Sequence, residues 1–380
     1  MKTKSILFIS NFLNMHQAPL IRYINKMNYA MTFLECGIMP DERKKMFYSN
    51  QFNDINIVKY FELNQTIEEF AGKFDTIIIS EIRYLPNISL LSNTKVIFIY
   101  SEHIYKSKSV LKNFLRRLKY KFIFSKVKNQ NKLFLLCSSS KAKNDYLSVS
   151  KIPAKNMFKW GYFPEIIQNQ SIEARNVNQP ISILWVGRLL KWKNPKHSII
   201  FLNELIKNGI QANLTIIGEG AEESKLKLLC KRLHIDSNVV FKPFIPNNEI
   251  QNEMKKSNLF VFSSGKGEGW GAVLNEAMGN GCCCIANIDA GSTRFLMSNE
   301  KTGFTYKSLK DLKMLAKQLS FYSHSDILNI LKQKGQKASN FIHSYWTPAK
   351  AATLLTDTIE KIEKNSLEFN DSEFVPMSNA

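Results

Sequence analysis

Apolar runs of strand length recur along the first 165 residues, at 5–10, 31–35, 76–80, 95–100 and 132–137, with polar or helix-periodic spacers between them. These runs are apolar throughout rather than alternating, which suits strands buried on both faces of a parallel sheet. A second series begins at 181–186 and continues at 212–217, 238–241, 259–263, 283–286 and 302–306, with helices predicted over 197–208 and 221–233. Residues 165–180, rich in Asn, Gln and Ser, read as a linker between the two series. The pattern predicts an α/β protein of two tandem Rossmann-like, doubly wound domains, 1–165 and 166–345. A ligand cleft is expected between them, at the carboxyl ends of the strands. The final periodic stretch carries Ala351, Leu354, Leu355, Ile359 and Ile362 on one stripe, so 346–364 predicts a C-terminal helix segment. Residues 365–380 read as a polar, disordered tail.

Composition supports a globular chain: 44% of the 380 residues are hydrophobic and 12% aromatic. No uninterrupted apolar run reaches the roughly 18 residues of a membrane span. Asn11 breaks the first run and no small-residue cleavage site follows it, so a buried strand is favoured over a secretion signal and a cytoplasmic location is expected. Of the six cysteines, Cys36, Cys137 and Cys230 are isolated and Cys282, Cys283 and Cys284 are consecutive. Adjacent cysteines do not readily bridge, and no paired C-x-x-C spacing exists; small buried hydrophobes are expected, and no metal site.

Charge changes the picture more. The formal net charge is +20, and residues 1–165 hold 26 Lys and Arg against 12 Asp and Glu, a net +14 that leaves +6 for the remainder. The densest stretch runs from Lys106 to Lys128 without an acid, and Val110, Leu111, Phe114, Leu115, Leu118, Phe122 and Ile123 interleave at helical spacing. Three readings stay open for this basic amphipathic helix. It packs its apolar stripe on the domain core, it attaches to an anionic membrane surface, or it binds nucleic acid. The last is disfavoured, because no recognition module accompanies the charge.

The candidate chemistry lies in the second series. Glu268 and Glu276 are eight positions apart in a glycine-bracketed stretch, 265–276, that follows the apolar strand 259–263. A strand, a Gly-rich loop and a helix aim free backbone amides at an anion. With Glu276 about two turns into the helix, the two acids can meet opposite ends of a ligand whose phosphates lie between them, as in a nucleotide-sugar. Paired glutamates at a helix edge are also often merely solvated. Upstream, Gly187 and Arg188 end the strand 181–186, Lys193 follows five residues after Arg188, and Gly218-Glu219-Gly220 ends the next strand. Arg and Lys at one strand end suit a diphosphate.

In this order, Gly187-Arg188 with Lys193, Gly218 with Gly220, and Glu268-Gly269-Trp270-Gly271 with Glu276 resemble glycosyltransferase family 4. The resemblance covers 181–306 and extends to Trp346-Thr347-Pro348. It implies a GT-B fold whose C-terminal helix packs back on the N-terminal domain, with 1–165 binding acceptor and 166–345 binding donor. It implies retaining transfer without a cofactor or required metal. Arg188 and Lys193 would neutralise the diphosphate, Glu268 would bind sugar hydroxyls, the amides of Gly269, Trp270 and Gly271 would receive phosphate, and Glu276 would take the ribose. The family usually has Phe at the Trp270 position and Gly at the Asn194 position. The stretches 11–20, 100–106 and 159–164 look like a bacterial surface-polysaccharide subgroup. That looser likeness places His103 near the reacting carbon and Asn11, His16 and Glu102 on the acceptor side, although a lone loop histidine is more often structural.

The implied reaction moves a sugar from a UDP- or GDP-sugar to a hydroxyl of a lipid-linked or oligosaccharide acceptor at the inner membrane face. A nucleotide-sugar epimerase of the same fold and a basic nucleic-acid-binding protein are the alternatives.

Overall fold

A computed structural model describes residues 3–39, 52–166, 179–297, 301–366 and 376–380. The chain divides into two compact units, one of residues 1–165 with 345–380 and one of residues 166–344. The linker expected at 165–180 lies, over 167–178, outside the described residues.

The first unit is built on a seven-stranded sheet in the order β3-β2-β1-β4-β5-β6-β7. Its strands are β1 (Lys4–Ser10), β2 (Tyr29–Glu35), β3 (Asn56–Lys59), β4 (Thr76–Ile79), β5 (Val96–Ser101), β6 (Leu133–Cys137) and β7 (Met157–Lys159). Every pairing is parallel; β1 lies between β2 and β4, with Phe8 opposite both Phe33 and Ile78. The central strands are apolar on both faces because helices cover both; all of β4 and β6 is buried. Each such Ile or Leu contributes about 1.5–3 kcal/mol relative to exposure. The sequence pattern missed β3 and β7. Both are short edge strands, and the Asn and Lys that flank Ile57 and Val58 carry no sustained apolar run.

Two helices of this unit matter below. The first, α1 (Ala18–Asn25), opens with Pro19 and buries Leu20, Ile21 and Ile24. The second, α2 (Val110–Ser125), is capped by the Ser109 hydroxyl, which accepts from the Lys112 amide.

The second unit holds a six-stranded parallel sheet in the order β10-β9-β8-β11-β12-β13. Its strands are β8 (Ile181–Val186), β9 (Ala212–Ile217), β10 (Val239–Lys242), β11 (Leu259–Phe262), β12 (Cys283–Asn287) and β13 (Gly303–Tyr306). The strand order reverses between β8 and β11, which places a crevice at their carboxyl ends. Cys282, Cys283 and Cys284 are wholly buried, as small packing residues. Helices α3 (Asn247–Lys256) and α4 (Val273–Gly279) follow β10 and β11.

The chain then returns to the first unit. Trp346 is buried there, stacked on Phe163 at 5.8 Å, and Phe163 meets Trp160 at 4.8 Å. The Thr347 hydroxyl caps α5 (Pro348–Glu363), which packs beside α1. The expectation of a disordered tail fails at its end. Residues 376–380 run antiparallel to β7: the Met377 amide donates to the Lys159 carbonyl (2.8 Å), the Lys159 amide to Ser378 (2.8 Å) and the Ala380 amide to Met157 (3.0 Å). These bonds cover an otherwise open sheet edge, which composition alone could not reveal. The remainder of that tail, 367–375, lies outside the described residues.

Candidate functional site

In the second unit, backbone bonds lock the loops after β8 and β9 together, and side-chain bonds tie the loop after β11 to them. The Gly187 amide donates to Ile217 (3.0 Å), and the Leu189 amide donates to Glu219 (2.7 Å). Gly218 has φ +137°, and a β-carbon there would lie 2.0 Å from the Gly187 carbonyl oxygen. Gly218 therefore serves close backbone approach, which holds the half-buried Arg188 at the carboxyl end of β8.

Lys193 is fixed from two sides. The Ser263 hydroxyl, at the end of β11, donates to the Lys193 carbonyl (2.7 Å) and itself accepts from Trp185 Nε1 (2.8 Å). Asn194 takes the left-handed conformation, φ +50°, and its side-chain amide donates to the Ser263 carbonyl (3.2 Å). Asn tolerates that conformation better than other side-chain-bearing residues, so it serves where the family usually has Gly. Lys193 Nζ thereby reaches Glu268 Oε2 at 2.8 Å, a pair whose side chains are only 16% and 12% exposed. The two charges that sequence reasoning assigned to separate parts of a ligand are thus direct neighbours.

The Glu268 amide closes a tight turn onto the Gly265 carbonyl (2.9 Å). Gly271, at φ +88°, has no room for a β-carbon, which would fall 2.3 Å from the Phe262 ring. Trp270 is fully buried; its indole N–H donates to Asn275 (2.8 Å) and its ring packs near Phe295. Its side chain thus anchors the loop from behind, leaving the neighbouring Gly269 buried and Gly271 partly exposed.

Glu276 needs one correction. The loop consumes Gly271 and Ala272, so α4 begins at Val273 and Glu276 lies in its first turn rather than two turns in. It is 5% exposed and accepts from the Asn247 side-chain amide at the start of α3 (3.3 Å). Burial pushes its carboxyl up to about 7, the Asn247 hydrogen bond opposing the shift. Sequence reasoning missed Asn247, because nothing in its local pattern points 29 residues ahead.

This buried acid has a consequence for stability. Its ordinary value is 4.5. Between about 4.5 and about 7 the unfolded chain ionises at this position while the folded chain stays protonated. The penalty therefore grows as pH rises through that window and is constant above it. Glu276→Gln keeps an acceptor for Asn247 and removes the charge. It should raise the unfolding free energy at pH 8 by about 1–3 kcal/mol and by much less at pH 5. Denaturant titrations at the two pH values check this; an equal change at both would refute the assignment.

The first unit holds a separate cavity of about 570 Å³ at the carboxyl ends of β1, β4, β5 and β6. Asn11, Glu102 and His103 all line it. Glu102 accepts from the Tyr162 hydroxyl (2.9 Å) and pairs with Lys106. His103 is 2% exposed, and its Nδ1 lies 3.0 Å from the Ser139 hydroxyl, which fixes the ring. His16 is placed differently. It stacks on Tyr162 at 6.0 Å and lines a smaller pocket with Phe8, Leu20 and Trp160, not the cavity that holds Glu102 and His103. Sequence reasoning missed Tyr162 and Ser139 as partners, and also Arg116 and Lys119 of α2, which complete the lining.

Helix α2 resolves its own open question about packing. Asn113, Tyr120, Ile123 and Phe124 face the unit, whereas Val110, Leu111, Phe114, Leu115, Leu118 and Phe122 are 47–83% exposed. At about 100° per residue these two sets occupy opposite sides of the helix. The apolar stripe therefore does not pack on the domain core.

Two parallel α/β units of seven and six strands define the GT-B class of fold. The same architecture occurs in the crystal structure of HepE from Anabaena in complex with UDP, which aligns with 94% of this chain and all of its own at a TM-score of 0.68 and 14% identity. Residues 167–341, within the second unit, match the family model described as Glycosyl transferases group 1. An uncharacterized glycosyltransferase of Haemophilus influenzae is 31% identical over 123 residues, 32% of this chain and 34% of its own length. The N-acetylgalactosamine-N,N'-diacetylbacillosaminyl-diphospho-undecaprenol 4-alpha-N-acetylgalactosaminyltransferase of Campylobacter jejuni is 25% identical over 229 residues, 58% of this chain. That match spans 59% of the Campylobacter protein, so both relatives are matched over less than two thirds of their length. No helix among the described residues is long and apolar enough to cross a membrane.

Proposed function

We propose that this protein transfers a sugar, with retention of anomeric configuration, from a UDP- or GDP-sugar to a hydroxyl of a lipid-linked glycan in bacterial surface-polysaccharide synthesis. The observation that carries the reading is the meeting of Lys193 and Glu268 at 2.8 Å in the interlocked loops after β8, β9 and β11. One cation and one hydroxyl acceptor side by side suit the bond that breaks, between a sugar carbon and a phosphate oxygen. Arg188 and Lys193 stabilise the departing diphosphate, where negative charge accumulates as that bond lengthens. Glu268 orients the sugar through its hydroxyls, and the backbone of Gly269, Trp270 and Gly271 receives phosphate. Glu276, once ionised, accepts from the ribose diol. In a front-face reaction the departing phosphate oxygen takes the acceptor's proton, so neither a metal nor a protein base is required, and His103 acts by polar contact near the reacting carbon. The acceptor side is drawn from Asn11 and Glu102 in the first unit, with His16 supporting Tyr162. The diphospho-undecaprenol acceptor in the name of the Campylobacter relative and the exposed apolar face of α2 support a lipid-linked substrate and peripheral attachment at the inner membrane face.

A thermal-shift screen against UDP, GDP and CMP and their sugars tests the donor. A native-state ligand at 100 times its dissociation constant adds about 2.7 kcal/mol of apparent stability. UDP or GDP should raise the melting temperature, and CMP should not. No shift with any of these nucleotides would refute the reading.

A further inference from the structure

Of the five tryptophans in the chain, Trp160, Trp185, Trp270 and Trp346 are at most 2% exposed. Trp192 is the exception, at 37%. It stands in the short helical turn 191–193 after β8, directly before Lys193. That turn is stiff. The Lys193 amide donates to the Leu190 carbonyl (3.0 Å), the Asn194 amide to Lys191 (3.2 Å), and the Asn194 side-chain amide to the Trp192 carbonyl (3.3 Å). Two neighbours place the indole itself. Lys193 Nζ lies 4.7 Å from its ring centroid, and its Cε3 lies 3.4 Å from where a β-carbon on Gly267 would be. Because residue 267 is glycine, no side chain at that position covers the ring. An indole carries a large apolar area whose burial stabilises a fold, so packing does not account for one left open on a rigid turn.

We propose that Trp192 is the platform for the donor's sugar, its indole taking the C–H face of a hexopyranose ring while Glu268 holds the hydroxyls. The proposal rests on the donor site advanced above and supplies the wall of that site that faces the sugar. Lys193 Nζ touches both partners, at 2.8 Å from Glu268 Oε2 and 4.7 Å from the indole centroid. One six-membered sugar ring can therefore give hydroxyls to the carboxylate and lay its apolar face on the aromatic. The face of an indole is the negative side of its quadrupole, and the axial hydrogens of a pyranose carry the partial positive charge that it attracts. The phosphates offer no such face, so the contact belongs to the sugar. The competing role is a clamp that only steadies Lys193 through the cation–π contact. A clamp acts on the diphosphate, and its loss is felt by the bare nucleotide as well.

Titration calorimetry of the full chain with UDP, GDP, UDP-glucose, UDP-galactose, UDP-N-acetylglucosamine and GDP-mannose separates the two. Trp192→Ala should weaken the tightest-binding sugar nucleotide about tenfold, the scale of one lost apolar contact, and leave its bare nucleotide within about twofold. Trp192→Phe keeps an aromatic face and should stay within about threefold of wild type for both ligands. Fluorescence gives a readout without substitution. Trp192 is the one exposed indole, so acrylamide quenching reports on it, and the sugar nucleotide should shield it more than the bare nucleotide does. Equal weakening of both ligands in Trp192→Ala would make the ring a clamp on Lys193, and unchanged affinity for both would leave it no role. Either result overturns the proposal, as does equal shielding by the two ligands. Because Trp192 is exposed, circular dichroism should show an unchanged fold in both variants. The two readings fail differently. Absence of UDP and GDP binding refutes the proposed function, whereas nucleotide binding without a selective loss of the sugar nucleotide in Trp192→Ala refutes only the platform.

Discussion

Lys193→Ala should lower kcat/KM for sugar transfer by a factor of about 100 to 1,000, the loss that follows removal of one preorganised charge from a developing anion. The structure gives this substitution a second effect. Lys193 is the partner of Glu268 in a pair that is largely shielded from water. Its removal leaves a carboxylate beside the place assigned to the diphosphate, so UDP binding should weaken as well. Glu268→Gln separates the two roles by sign. It too should abolish transfer, because a carboxylate that orients the sugar has been lost, yet it should leave UDP affinity unchanged or improved. Steady-state kinetics with a UDP-sugar, alongside calorimetric titration of UDP, measures both. Full activity in purified Lys193→Ala would remove the diphosphate assignment. Weakened UDP binding in Glu268→Gln would show that the carboxylate acts on the nucleotide instead.

Gly218→Ala should be the most damaging small substitution in the second unit, at a cost of roughly 3 kcal/mol or more. The new methyl would lie 2.0 Å from the Gly187 oxygen and 2.9 Å from its carbonyl carbon. Both are backbone atoms, held by the Gly187 bond to Ile217 and the Gly218 bond to Lys242 (each 3.0 Å), so no side-chain rotation relieves the contact. The backbone at φ +137° adds its own strain for any residue bearing a β-carbon. If the unit survives, the loop carrying Arg188 must move away from β9, and nucleotide binding should fall with stability. Denaturant unfolding together with UDP titration reads the two effects. A variant as stable as wild type would mean that these strand ends are less tightly interlocked than described.

Both predictions rest on residues conspicuous in the sequence, for physical reasons. Continuous apolar runs such as Leu259-Phe260-Val261-Phe262 mark strands covered on both faces, and glycines at their ends mark close backbone approach, so the two-sheet plan and the order of candidate site residues follow from local pattern. Short edge strands escaped because β3 and β7 lack a sustained run. The ordered end of the tail escaped because its bonds to β7 are backbone bonds, indifferent to side-chain composition. Long-range partners escaped for a related reason: Asn247 with Glu276, Ser263 with Lys193 and Tyr162 with Glu102 lie 29, 70 and 60 residues apart.

Helix α2 divides the two kinds of knowledge most clearly. The sequence by itself determined that 106–128 is basic and amphipathic, because periodicity and charge are properties of neighbours in the chain. Which side turns inward depended on what the rest of the unit offered. Ser107, Ile104 and Gln130 bind Asn113, Arg116 and the Phe124 carbonyl, and Phe124 with Tyr120 packs on Tyr146. That choice leaves the apolar stripe in solvent and brings Arg116 and Lys119 to the cavity, an outcome set by contacts from three other parts of the fold.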